Sequence, residues 1–204
     1  MTVSSMPCSP SRADPALLFR LLLAALAALW LAAWTPAAGA AEIEARSATL
    51  VASDDSLQLN ADFRIDLGPV LEDVVAHGVP LYFVAEFELN RPRWYWLSDT
   101  LADKTRQYRL SYHALTRQYR LSGGALFQNF SSLPEALAIL SRIRSWTVVD
   151  RSQLKVGESY QAAVRLRLDW AQLPKPLQVT TLASREWALG SDWLRWTAVA
   201  TEPK

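Results

Sequence analysis

The sequence predicts a β-rich α+β fold: an antiparallel sheet or open β-sandwich of about six to seven strands, with two helices packed on it. Apolar and polar residues alternate through segments 57–67 and 160–170, which is the period-two pattern of half-buried strands. The hexapeptide RQYRLS occurs twice, at 106–111 and 117–122, and predicts two paired antiparallel strands. Two short segments have apolar residues at helical spacing and predict the helices.

Residues 1–41 are predicted to be a secretory signal peptide, separate from the fold. Two arginines precede an apolar run at 21–34, and small residues follow it. Cleavage after Ala40 or Ala41 leaves 42–204 as a single β-rich domain that is periplasmic or secreted. The alternative is an uncleaved N-terminal inner-membrane anchor, although the run is shorter than the roughly 20 residues of a spanning helix.

Cysteine content and charge exclude several classes of function. The one cysteine, Cys8, lies in the predicted leader, so the mature domain is expected to contain neither disulfides nor a cysteine nucleophile. Of 21 Lys or Arg and 20 Asp or Glu residues, the leader holds two and one, so the mature chain is neutral. A neutral domain argues against a nucleic-acid partner. Basic residues are nevertheless concentrated locally, with seven from Arg91 to Arg120.

The first half of the domain is predicted to contain three strands and one helix. A β-prone segment, 42–51, leads through a turn into strand 57–67. Gly68-Pro69 then opens a short helix that Gly78 ends. Segment 80–90 alternates again and places two glutamates on its polar face.

The repeated hexapeptide predicts a hairpin with one apolar and one polar face. With a loop at 113–116, Leu110 faces Tyr119 and Arg109 faces Arg120. Like charges directly opposed on a sheet cost about 0.2–1 kcal/mol, so an acidic group is expected nearby. It is either Glu86 and Glu88 of the neighbouring strand or an external anion.

The second half is predicted to begin with a helix that a capping box starts. Ser132 and Glu135 have the spacing of that box, and the helix is expected to include Ile143 and to carry basic residues in its last turn. A short strand at 146–149 and the strand at 160–170 follow. Tryptophans near the C-terminus indicate that the tail packs on the domain.

Arginine and aromatic residues suggest one candidate binding surface. Such a surface suits an anionic lipid, a glycan or a partner protein, because aromatic rings and arginines dominate binding hot spots. Core packing is the competing interpretation for at least one of the tryptophans. The candidate residues are Arg91, Arg93, Trp94, Trp96, Arg109 and Arg120.

No residue is assigned a catalytic or metal-binding role, and no cofactor is expected. The two histidines, His77 and His113, fall at a predicted helix end and in the hairpin loop, outside any motif of a triad or zinc site. A pair of carboxylates could still support glycoside hydrolysis. The nearest cluster contains Asp54, Asp55, Asp62 and Asp66.

Three sequence segments resemble one protein family. They are FELNRPRWYW, YRLSYHALTRQYRLSGG and SREWALGSDWLRW, and they follow a signal peptide. Together they resemble an exported proteobacterial family known as a domain of unknown function, number forty-three ninety. The resemblance implies no activity or site residues, but it implies an accessory role beside a membrane sensor kinase of the nitrogen-regulation type.

Three hypotheses follow for the function. The leading one is a non-enzymatic binding or adaptor module at the cell envelope. A carboxylate-based envelope hydrolase acting on glycans and a structural subunit of an envelope assembly are the alternatives.

Overall fold

The computed structural model describes residues 41–53, 55–92, 99–124, 126–155, 157–174 and 189–199. The predicted signal peptide therefore lies outside the described residues, as do Arg93, Trp94 and Trp96. The described ranges hold two α-helices, two three-residue 3-10 helices and nine strands in two antiparallel sheets, which confirms the predicted β-rich α+β class.

The elements are, in chain order, β1 (Glu42–Ala52), β2 (Ser56–Asp66), α1 (Gly68–Ala76), β3 (Leu81–Arg91), β4 (Asp99–His113), β5 (Gln118–Gly123), β6 (Leu126–Phe130), α2 (Leu133–Leu140), β7 (Arg142–Asp150), β8 (Ser159–Leu168) and β9 (Leu194–Val199). Sheet A has the strand order β1-β2-β7. Sheet B has the order β6-β5-β4-β3-β8-β9.

The core lies between sheet A, the two helices and one face of sheet B. Alternate residues of β3, such as Phe83 and Phe87, have no exposed surface, and they belong to the same apolar cluster as Leu59 of β2. β1 lies against β8 and β9, while β7 lies against β4. The helices contact β4, β5 and β6, and they contribute buried residues such as Leu71 and Leu140. We call the face of sheet B turned away from this core its outer face.

The helix α2 is shorter than the sequence predicted. It ends at Leu140, and Ile143 belongs to β7, where it is buried on the same face as Trp146. The capping box also differs, because the Glu135 carboxylate accepts hydrogen bonds from the N–H and hydroxyl of Ser131, at 3.2 and 2.9 Å. In β7, Ile143 lies opposite Ala61 of β2 and both are buried, so pairing with a distant strand overrides the helical spacing.

The predicted hairpin forms, but its register differs from the expected one by two residues. Leu110 faces Leu121 and Tyr112 faces Tyr119, so the expected opposition of Arg109 and Arg120 is wrong. The observed register pairs two buried leucines and brings the two tyrosine rings to 4.9 Å between centroids. It also separates the two arginines, and both changes stabilise the sheet.

The strand β6 was not predicted from the sequence. Its five residues, LFQNF, extend sheet B beyond β5, and four of them are exposed. Because an edge strand with little buried surface shows weak hydrophobic alternation, its pattern carried no clear signal.

Candidate functional site

Two candidate arginines lie on the outer face of sheet B, close to the edge strand β6. The register aligns four residues in a row across four strands: Phe127, Ser122, Arg109 and Tyr82. Arg120 lies two residues along β5 from Ser122, on the same face. Both arginines are exposed. Their side chains point away from the core because side chains alternate between the two faces along a strand.

Each of these arginines packs on an aromatic ring. The guanidinium carbon of Arg109 lies 5.8 Å from the ring centroid of Tyr82, and that of Arg120 lies 4.8 Å from the ring centroid of Phe127. Arg120 Nε also donates to Asn129 Oδ1 at 3.0 Å. Cation–π stacking holds a guanidinium in place and leaves its N–H edge available to a ligand. We call Tyr82, Arg109, Arg120 and Phe127 the arginine–aromatic surface.

The two carboxylates expected to pair with these arginines do not pair with them, so that alternative is wrong. Glu86 accepts hydrogen bonds from Arg165 Nε at 2.5 Å and from Arg167 Nε at 2.8 Å. Glu88 lies opposite Asp103 of β4. Within the described part of the chain, no carboxylate lies within 4.0 Å of either arginine of the arginine–aromatic surface.

Two carboxylates, Glu86 and Asp169, lie beside Arg165 and Arg167 in the middle of the outer face. The side chain of Glu86 is 13% exposed. Burial raises its pKa, but the hydrogen bonds and charges of Arg165 and Arg167 lower that pKa by more, and the net shift is downward. The indole of Trp193 stacks on Arg165, with 4.4 Å from guanidinium carbon to ring centroid. The arginine–aromatic surface therefore differs from the middle of this face, because every described carboxylate lies more than 4.0 Å from its two arginines.

Arg91 does not join this surface. It lies at the other end of β3, about 30 Å from Tyr82 at the usual rise per residue of a strand. Its Nε lies 3.0 Å from Glu158 Oε2, and its guanidinium carbon lies 5.7 Å from the ring centroid of Tyr160. A hydrogen bond with Tyr160 raises the Arg91 pKa. Arg93, Trp94 and Trp96 lie outside the described residues.

Sequence reasoning missed the two aromatic members of the surface. The alternation along β3 places Tyr82 on the polar face of that strand. Only the pairing of β3 with β4 shows that Tyr82 lies beside Arg109. Phe127 belongs to the strand that the sequence did not reveal, and it is 61% exposed. The repeated hexapeptide gave the arginines, but long-range strand pairing supplied their rings.

Of the carboxylates considered for hydrolysis, Asp54 lies outside the described residues, and Asp62 and Asp66 do not form a pair. Asp62 and Asp66 are four residues apart on β2, about 13 Å along the strand, whereas paired glycosidase carboxyls lie about 5–9.5 Å apart. Asp62 binds Arg144 at 2.5 Å and accepts from Ser47 Oγ at 3.1 Å. The hydrogen bond from Arg144 is the main cause of its lowered pKa, which opposes a role as a general acid.

The two histidines contact residues three or four positions away in the chain. His77 Nδ1 lies 2.8 Å from the carbonyl oxygen of Asp73, and His113 Nδ1 lies 3.3 Å from Thr116 Oγ1. Across the described ranges, no three His, Cys, Asp or Glu side chains come close enough to hold a metal ion. Neither α1 nor α2, nor any other helix in those ranges, has the length and hydropathy needed to cross a membrane.

Residues 40–197 match the family described as "Domain of unknown function (DUF4390)", and the chain belongs to this family. The match confirms the resemblance that the three sequence segments indicated. Comparisons with curated proteins and with solved structures gave no match.

Proposed function

We propose that the protein is a non-enzymatic binding or adaptor module of the cell envelope, and that the arginine–aromatic surface binds an anionic group of its partner. The observation that carries this proposal is the contrast among arginines on one sheet face. Arg165 and Arg167 share the carboxylate of Glu86. Arg109 and Arg120 are exposed and held by aromatic rings, with no described carboxylate within 4.0 Å.

The geometry suits recognition of a carboxylate or phosphate. A guanidinium can donate two parallel N–H bonds to either anion, and stacking on a ring reduces the side-chain entropy lost on binding. Diagonal neighbours on adjacent strands lie about 7–8 Å apart. Arg109 and Arg120 occupy such positions, with the small side chains of Ser111 and Ser122 between them. The surface can therefore hold two anionic groups of one partner.

The partner class is an anionic surface at the envelope. The predicted signal peptide supports an exported location, and the family resemblance supports a membrane sensor kinase as the protein partner. Anionic lipid and anionic glycan present the same chemistry. The absence of a paired carboxylate site at Asp62 and Asp66 favours binding over hydrolysis.

In-cell crosslinking of the tagged full-length chain, followed by mass spectrometry, tests the proposal. The double variant Arg109→Glu/Arg120→Glu should lose the captured protein or, in vesicle sedimentation, lose binding to phosphatidylglycerol relative to phosphatidylcholine. We expect an affinity loss of at least about tenfold, or about 1.4 kcal/mol. Thermal unfolding should change little, because both side chains are exposed.

Arg195→Glu is the matched control, because Arg195 is exposed on β9 and faces Ala163 of the same outer face. The control should retain native binding to the crosslinked protein and to vesicles. Equal capture and equal vesicle binding by the double variant and the native chain would refute this site.

A further inference from the structure

An open cleft of about 730 Å³ lies along one side of the sandwich, between β1 and β9. Ligand sites of this size are common in proteins. Its walls include Leu57, Leu89 and Leu154 together with the rings of Tyr160 and Trp196. No member of the arginine–aromatic surface lines it, so the cleft is a separate feature of the molecule.

The cleft is lined by strand edges. Thr49 and Leu50 line it on one side, and the consecutive residues 196–199 line it on the other. The side chains of neighbouring residues in a strand point to opposite faces of the sheet. A cleft that is lined by consecutive residues therefore lies against the edge of the strand. Among the described residues, β1 pairs only with β2, and β9 pairs only with β8.

The β1–β2 turn determines which backbone groups of β1 face the cleft. The N–H of Ser53 donates to the carbonyl of Ser56 at 2.8 Å, which makes these two residues a hydrogen-bonded pair. Such pairs alternate with non-bonded pairs along an antiparallel ladder. The N–H and C=O groups of Ala48, Leu50 and Ala52 therefore point away from β2, towards the cleft that these residues line.

The edge of β1 is protected against pairing in its first half and open in its second. Glu42, Glu44 and Arg46 carry charges in the first half, and a bulge follows between Ala45 and Ser47. Charges and bulges on an edge strand discourage pairing with another strand. Residues 47–52, SATLVA, carry no charge and include Val51, which is 48% exposed. The unprotected half is the half that borders the cleft.

We propose that the cleft receives an extended segment of a partner polypeptide, which adds to β1 as an antiparallel strand. Its backbone bonds to Ala48, Leu50 and Ala52, and its alternate side chains are apolar and cover the cleft floor. All strand pairs among the described residues are antiparallel, and an added strand continues that pattern.

The added segment is short. It pairs with residues 47–52, the uncharged half of β1 that borders the cleft, and it stops before the bulge between Ala45 and Ser47. Because side chains alternate along a strand, every second side chain of the segment turns towards the apolar cleft floor. The expected segment therefore has about six residues with an alternating apolar pattern.

Selection of a displayed library of random 12-residue peptides on the full-length protein tests this proposal. We expect enrichment of peptides with an alternating apolar pattern. The dissociation constant of the best synthetic peptide, measured by fluorescence anisotropy, should rise at least about tenfold for Ala48→Pro. Proline removes one N–H that faces the cleft, and edge strands tolerate it.

Ala48→Val is the matched control, because valine is similar in size to proline but keeps the backbone N–H. It should change peptide affinity by less than about twofold, well under 1.4 kcal/mol. Methylating the peptide's own backbone nitrogens should also abolish binding while its side chains remain. Ala52→Pro, at an exposed position, provides a second test if Ala48→Pro unfolds.

Several results would overturn the proposal. Failure to enrich any alternating peptide is one, and equal affinity for the proline and valine variants is another. Binding of cis-parinaric acid to the native chain and to Ala48→Pro alike, without peptide enrichment, would identify an aliphatic-ligand site instead. Loss of peptide binding only in Arg109→Glu/Arg120→Glu would place the peptide on the arginine–aromatic surface.

Discussion

Replacing Glu86 by Gln should destabilise the protein by removing the one carboxylate shared by Arg165 and Arg167. Glutamine has nearly the same shape, so the change removes charge without leaving a cavity. The side chain of Glu86 is 13% exposed, whereas those of the two arginines are 33% and 37% exposed. Water therefore reaches the guanidinium groups, and Asp169 Oδ1 lies 4.0 Å from Arg167 Nη1, so the cost of losing the Glu86 charge is reduced.

The magnitude follows from two charge-assisted hydrogen bonds. A bond to a charged group contributes about 1.5–3 kcal/mol, and a neutral bond contributes about 0.5–1.5 kcal/mol. Losing roughly 1 kcal/mol at each arginine gives about 2 kcal/mol less unfolding free energy. For a chain of this size, that corresponds to a decrease in Tm of about 4–8 °C.

The pH dependence gives a second, independent readout. The pKa of Glu86 is lower in the folded protein than its usual value of 4.5. Its stabilising contribution is therefore complete above about pH 4.5 and is lost as the pH falls through the folded-state pKa. The stability difference between native chain and Glu86→Gln should shrink on acidification and be largest near neutral pH.

Urea unfolding at pH 7 and at pH 3, monitored by circular dichroism, measures both effects. Glu88→Gln is the matched control, because Glu88 shares the strand and the face of Glu86 but lies opposite Asp103. Removing a charge from that acidic pair should leave stability unchanged or slightly higher. If both variants lose equal stability at pH 7, the reasoning about Glu86 is wrong.

Two further predictions concern the backbone and a buried hydroxyl. Ser145 has φ +48°, so Ser145→Gly should raise the unfolding free energy by up to about 1 kcal/mol, whereas Ser145→Val should lower it. Equal effects of glycine and valine in urea unfolding would contradict a strained backbone there. Tyr160 is 2% exposed, and its hydroxyl accepts from the N–H of Lys155 at 2.8 Å and lies 3.2 Å from Glu158 Oε2. Tyr160→Phe leaves that N–H without its acceptor and should lower thermal stability by about 1–3 kcal/mol, and an unchanged melting curve would show that water replaces the hydroxyl.

Local patterns predicted the faces of the strands correctly, and they did so even where the register was wrong. Arg109 and Arg120 were expected on the polar face of the hairpin, and both are exposed on the outer face of sheet B. A register change of two residues preserves the face of every side chain, because the side-chain period of a strand is two. The pairing of Leu110 with Leu121, in contrast, depends on packing against the helices and the neighbouring strands.

The boundary between α2 and β7 shows where local patterns lose to tertiary packing. Ile143 fits the apolar stripe of the preceding helix as well as the buried face of a strand. The structure places it in β7, opposite Ala61 of β2, which lies 82 positions earlier in the chain. A helical spacing of a few residues cannot reveal that a distant strand edge is available.

The sequence by itself determined the β-rich class, the two helices and the division of each long strand into an apolar and a polar side, because these features depend on neighbouring residues. Only the tertiary structure decided that Glu86 meets Arg165 and Arg167 instead of Arg109 and Arg120, and that Tyr82 and Phe127 support the latter pair. Those contacts join strands that are far apart in the chain. Their energies depend on strand order and register, which residue spacing within a single strand does not specify.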